Sequence, residues 1–235
     1  RALALVPAIA FPVMLGFGLL YPALYVPLVY EVRNLESGAL KTGIEELLGR
    51  EGFSGADIRV VGSSRYSGHA NALFTGFGGN RVIYLYDTML DEFTGDEILA
   101  VIAHELCHYR EEHVLIGTGA WSLALPLVIM ALSALCSLFY GCGLAPLMKR
   151  GRVAEAFVAA VILLFALRPV ESAASRFLER RADRHVIAAG IDRAAAIGLE
   201  VKLARKNRAH ILPHPLYAFW FYSHPPVMER IRLVE

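Results

Sequence analysis

Charged residues avoid three stretches of this 235-residue chain and crowd into the rest. Ala2 to Tyr30 carries no charge over 29 residues, where a helix needs about 20 to cross a bilayer. Pro7, Pro12, Pro22 and Pro27 interrupt that run, so kinks are expected along it. Val114 to Met148 is again uncharged, with Gly141, Gly143 and Pro146 marking a turn near its end. The third run, Ala156 to Leu167, is strictly apolar for only 12 residues. It reaches the length of a crossing when Glu155 and Arg168 sit at the interfaces, the arginine reaching outward.

Between the first two runs the pattern is that of a folded lobe. Leu35 to Leu48 has helical spacing, with Leu40, Ile44, Leu47 and Leu48 along one face. Ile58–Val61 and Arg81–Tyr86 are rich in β-branched and aromatic residues and predict strands, with Asn71–Thr75 a third. Gly76, Gly78, Gly79 and Asn80 supply the turn of a hairpin. Thr94-Gly95-Asp96-Glu97 fits a capping box and predicts a helix from there past His108. The pattern as a whole predicts a mainly α, integral-membrane protein with about three transmembrane helices and a lobe holding a small β-sheet. Its parts are a membrane helix (1–30), the first part of the lobe (31–113), a membrane hairpin (114–170) and the rest of the lobe (171–235).

Composition agrees: 56% of residues are hydrophobic and the mean hydropathy is +0.47. The 23 Lys+Arg balance 22 Asp+Glu, which gives no footprint for a nucleic-acid partner. Three cysteines, Cys107, Cys136 and Cys142, do not make a secreted disulfide framework. The sequence opens on Arg1 rather than methionine, as expected of a fragment or a processed chain.

The chemistry centres on His104-Glu105-Leu106-Cys107-His108, which fits H-E-x-x-H. On a helix, residues i and i+4 share a face, so both imidazoles can reach one Zn²⁺. Glu105 falls beside the open position, placed to take a proton from water. A catalytic zinc takes a third protein ligand, and Glu179 is the best candidate. It stands one turn from Asp183, so one carboxylate can ligate while the other accepts a ligand histidine's N–H. From spacing alone, a solvated face paired with Arg176, Arg180 and Arg184 is an equal reading. Two apolar runs separate His108 from Glu179, and two crossings return the chain to the side it left. Arginines 33, 110, 168, 176, 180, 181 and 184 flank that side, while Lys149, Arg150 and Arg152 on the hairpin point the other way. His210 and His214 are spaced like ligands, but Pro213 breaks the helix they need; these two, with His69, His113 and His185, are read as non-catalytic.

With these residues in hand, the sequence resembles the type I CAAX prenyl proteases, integral-membrane zinc endopeptidases. The stretches that carry the resemblance are PLVYEVRNLESGALKTGIEELL, SGHANALFTGFGGNRVIYLYDTML, DEILAVIAHELCHYREEH, SRFLERRADRHV and YSHPPVMERI, in that order along the chain. The resemblance implies that Glu179 is the third ligand beside His104 and His108, with Asp183 supporting the site. It implies that Asn71 and His224 hold substrate or the oxyanion, and that Ala72 and Arg230 contribute to substrate binding. It further implies Zn²⁺ as cofactor, a prenylated C-a-a-X protein as substrate, membrane lipid as surroundings, and an endoplasmic reticulum membrane with the site on the cytosolic side.

Two departures stand out. The family usually has Gly where this chain has Cys107, whose thiol near the metal makes oxidation sensitivity an expectation to test. The family also has several membrane helices ahead of this region, enclosing an intramembrane chamber, so a C-terminal portion of such an enzyme is expected. The rival readings are a membrane quality-control zinc protease of broader specificity, in a bacterial inner membrane, and a non-catalytic membrane scaffold that retains the motif.

Overall fold

The computed structural model describes residues 2–235, less the side chains of residues 2–7, 19–23 and 77. Helix α1 (Ala2–Val29) holds the first apolar run, and its prolines do not end it. Pro7 and Pro22, two of the four expected kink positions, are among the side chains outside that description. Then come β1 (Val32–Asn34), α2 (Ala39–Arg50), β2 (Asp57–Val61), β3 (Ala72–Phe77), β4 (Asn80–Tyr86), α3 (Asp87–Glu92) and α4 (Gly95–Arg110). Helices α5 (His113–Tyr140), α6 (Leu144–Lys149), α7 (Val153–Ala188), α8 (Arg193–Lys206), α9 (Pro215–Phe221) and α10 (Val227–Val234) complete the chain.

The sheet is mixed, in the order β1-β2-β4-β3. β3 and β4 form the expected hairpin, antiparallel with Phe77 opposite Asn80, so Gly78-Gly79 is a two-residue turn. Gly76 has φ 110° and Gly78 has φ 61°, conformations that favour glycine. β2 runs parallel to β4, and β1 pairs antiparallel with β2. β1 was not expected from the pattern; three residues long, it exists only through its pairing with β2. That pairing also corrects the start of α2. Leu35 donates its N–H to Ile58 at 3.0 Å, continuing the extended chain, so the helix begins after Gly38 rather than at Leu35.

One core joins the sheet to α2 and α4. Ile44, Leu47 and Leu48 of α2 meet Ile98, Ile102 and Leu106 of α4 over Ile58, Val60 and Leu85 of the strands, all buried. This fixes α4 by one face and leaves its His104–His108 face turned toward α7 and α8.

Two helices among the described residues, α5 and α7, are long and apolar enough to cross a membrane. Exposed Leu123, Leu127, Leu138, Phe157 and Val161 line them, an arrangement that lipid rather than water would favour. The expected count of three is thus two here. Within α1 the described apolar stretch, Ala8–Gly18, is shorter than a span. No break falls at residue 170 either. α7 runs 36 residues through Arg168 and the buried Pro169, so a single helix carries both the apolar run and the Glu179–Asp183 pair.

Candidate active site

α4 begins as its sequence predicts. Thr94 Oγ1 accepts from the Glu97 N–H at 3.3 Å, and Glu97 Oε2 accepts from the Thr94 N–H at 2.7 Å. Lys202 of α8 donates to the same carboxylate oxygen at 2.6 Å, tying α8 to the start of the helix.

One turn of α4 then aims two imidazoles at Glu179 of α7. The Nε2 atoms of His104 and His108 are 3.1 Å apart. Glu179 Oε2 lies 3.3 Å from the first, and Oε1 lies 3.5 Å from the second. Donors at zinc–ligand bond lengths around a tetrahedral ion stand about 3.3 Å from one another, so this triangle has the dimensions of one face of such a site. Among the described residues it is a group whose chemistry and spacing suit a metal ion. Glu179 Oε2 is also buried with no hydrogen-bond donor. A lone carboxylate oxygen in that position is costly, and a cation bound by these three residues would satisfy it.

The supporting residues form two chains. Behind His104, Asp183 Oδ1 lies 3.1 Å from Nδ1, off the ideal hydrogen-bond line, and Arg230 grips Asp183 from the far side. Behind His108, the Nδ1 of His113 is 2.7 Å from its Nδ1, and His113 Nε2 lies 3.0 Å from Glu111 Oε2. Sequence reasoning set His113 aside, and its five-residue spacing from His108 gave no signal to do otherwise.

Electrostatics separate the two histidines of the triangle. Burial opposes a charge on His104, but Asp183 and Glu179 overcome it and raise its pKa to about 9. Burial and the charge on His104 push His108 down to about 4. At neutral pH His104 thus carries one proton more than a neutral imidazole while His108 does not, and a cation bound to both rings would displace that extra proton. Burial pushes the Glu105 carboxyl up to about 7, with the Glu179 charge adding to it against the pull of His104. That is a suitable value for a proton acceptor working near neutrality.

Glu105 and His104 face a cleft of about 480 Å³ that Asn71, His224, Val101 and Leu203 also line. Asn71 is exposed at the entry to β3, and Ala72 beside it is buried. β3 is last in the sheet order, so among the described residues no strand covers its outer edge. His224 is exposed, with Nε2 3.6 Å from Glu179 Oε2. Arg230 lines the cleft too, but its three nitrogens are taken by Asp183 and Glu200.

The remaining histidines lie apart from the triangle. His69 pairs with Asn207, His185 with Glu51, and His214 caps α9. Cys107 is buried, and burial pushes its thiol up to about 11. Oxidants react with the thiolate, so burial and the raised pKa both disfavour reaction at Cys107.

A family model for peptidase family M48 matches residues 34–235. The probable CAAX prenyl protease 1 of Schizosaccharomyces pombe is 30% identical over 230 residues, spanning 91% of this chain and 46% of that protein. An uncharacterized metalloprotease of Bacillus subtilis, YhfN, is 29% identical over 229 residues, spanning 95% of this chain and 54% of that one. The crystal structure of S. mikatae Ste24p is similar in fold, with a TM-score of 0.77 and 27% identity, covering 99% of this chain and 57% of that one. The chain spans about half the length of these relatives. A family match over most of its residues, joined to the triangle of His104, His108 and Glu179 that could hold a metal ion, settles its kinship: the chain belongs to peptidase family M48.

Proposed function

We propose that this chain is the catalytic part of a membrane zinc endopeptidase that removes the last three residues of prenylated C-a-a-X proteins. The observation that carries the reading is the triangle of His104, His108 and Glu179, set beside Glu105 on the wall of a cleft that leads to an open strand edge.

Zinc held by those three residues would polarise the attacking water and the scissile carbonyl. Glu105 takes the proton released in the attack and delivers it to the leaving amine. Asp183 keeps the His104 ring in place. His224 donates to the oxyanion. The substrate backbone adds along β3, where the Asn71 amide fixes it, and Ala72 leaves room for its approach. α5 and α7 cross the membrane with α1 packed along α5, and the lobe of residues 31–113 and 171–235 stands on the cytosolic side of the endoplasmic reticulum. The apolar faces of α5 and α7 let a prenyl chain stay in lipid while its peptide enters the cleft.

The similarity to a Bacillus subtilis metalloprotease keeps one rival reading in view, a quality-control protease that cuts unprenylated chains. Zinc content and cleavage of farnesylated and bare C-a-a-X peptides, measured on the intact protein and its Glu105→Gln variant, test both. The expected result is one zinc in each form, cleavage of the farnesylated peptide alone, and a loss of at least about 100-fold in Glu105→Gln. Equal cleavage of the bare peptide would transfer the case to the rival, and a zinc-free wild type would sink the metal chemistry altogether.

A further inference from the structure

We infer that His113, with Glu111 and Arg181 behind it, is a positioning relay that sets the tautomer of His108. The inference rests on the reading of His108 as a zinc ligand and concerns how this chain prepares that ligand.

The relay comes from a break in the helix. On an unbroken α-helix, residues five apart point about 140° away from each other. Here α4 ends after Arg110 and α5 begins at His113. Glu112 between them sits at φ 54°, ψ 37°, the left-handed region that non-glycine residues rarely adopt. That conformation, costly for a residue with a side chain, turns the first residue of α5 back onto the last turn of α4. His113 is buried by the turn, with Nδ1 2.7 Å from His108 Nδ1.

Ligation through His108 Nε2 then fixes the donors and acceptors along the relay. Arg181 Nη2 donates to Glu111 Oε1 at 2.8 Å, which holds that carboxylate ionised and in place. Glu111 Oε2 can only accept, so His113 Nε2 carries a proton and donates to it across 3.0 Å. With its Nε2 lone pair kept for the metal, His108 carries its proton on Nδ1 and donates it to the bare Nδ1 of His113. His108 is left with its Nε2 lone pair free, and that is the nitrogen turned toward His104 and Glu179. The two ligand histidines are prepared by different means, His104 by the carboxylate of Asp183 and His108 by a neutral imidazole with a carboxylate behind it.

The test compares zinc affinity, by competition with a chelator, in the intact protein and four variants. His113→Leu removes the acceptor, whereas His113→Asn puts an oxygen at the same δ position. Glu111→Ala frees His113 to adopt the wrong tautomer, whereas Glu111→Gln still offers an accepting oxygen. Loss of such a supporting group weakens zinc binding about 10- to 100-fold, and that loss is expected for His113→Leu and Glu111→Ala. His113→Asn and Glu111→Gln should stay within about threefold of wild type, a rescue that a purely packing role for His113 would not give. Glu111 is part exposed, so its pair of variants decides the matter even where His113→Leu does not fold. Wild-type affinity in His113→Leu or Glu111→Ala overturns the relay alone, whereas a wild type that binds no zinc overturns the metal reading and the relay together.

Discussion

Arg230 grips Asp183 through two parallel hydrogen bonds, Nε to Oδ2 at 3.0 Å and Nη2 to Oδ1 at 2.6 Å. Its third nitrogen, Nη1, is 3.0 Å from Glu200 Oε2. The guanidinium therefore anchors α10 to both α7 and α8 from behind the ligand triangle. Arg230→Ala leaves Asp183 buried without its partner, an effect of about 3–5 kcal/mol. Glu200, already pushed by burial to about 7 with Arg230 opposing it, should take up a proton and soften the loss. Arg230→Lys should recover part of the stability, since it keeps the charge and loses the fork. Chemical denaturation of the three forms checks this, and an unchanged midpoint in Arg230→Ala counts against it.

Gly76 fixes the hairpin to the zinc helix. Its carbonyl accepts from the Tyr109 hydroxyl at 3.2 Å, and a Cβ built on it would stand 2.0 Å from the Asn80 carbonyl oxygen. Gly76→Ala should cost about 2 kcal/mol or more through strain and displaced backbone. A thermal midpoint equal to that of wild type would show that the strand accommodates a side chain there.

Acid should loosen the start of α4. Burial acts to raise the Glu97 pKa, but hydrogen bonds with Lys202 and the Thr94 amide outweigh it and hold the value below the ordinary 4.5. A carboxylate with a depressed folded pKa adds stability that is complete above its unfolded pKa and lost as pH falls through the folded one. Wild type should therefore exceed Glu97→Gln in stability at neutral pH, and the gap should close as the pH drops below 4.5. A gap that persists unchanged to about pH 3 would assign the difference to packing rather than charge.

His224→Ala should lower kcat about 100- to 1,000-fold, the effect of removing one oxyanion donor. Zinc content and KM should change little, because the ring is exposed and lies outside the His104–His108–Glu179 group. Steady-state kinetics with parallel metal analysis separates this from a loss of substrate binding.

The elements readable in the sequence are those whose cause is local. The capping box at Thr94 and the Gly78-Gly79 turn each specify their structure within a few residues, and the 3.6-residue period shows that His104 and His108 share a face. β1 and the start of α2 were illegible because a pairing between Leu35 and Ile58, distant along the chain, decides them. The pattern closed the third apolar run at Leu167 and the membrane hairpin at residue 170, yet α7 continues unbroken through the buried Pro169 to Ala188. His113 was missed for a related reason. Its place depends on one residue in the left-handed region, and a glutamate at 112 gives no warning of that.

The unbroken α7 also acts as a ruler. Leu167, the last residue of its apolar run, and Glu179 are separated by about 18 Å of rigid helix. Each inserted or deleted residue in that interval would swing Glu179 about 100° away from the histidines. Only changes of three or four residues, close to a whole turn, would restore its aim. The height of the Glu179 carboxylate above the apolar run can therefore change only in steps of about 5 Å while it still faces the histidines.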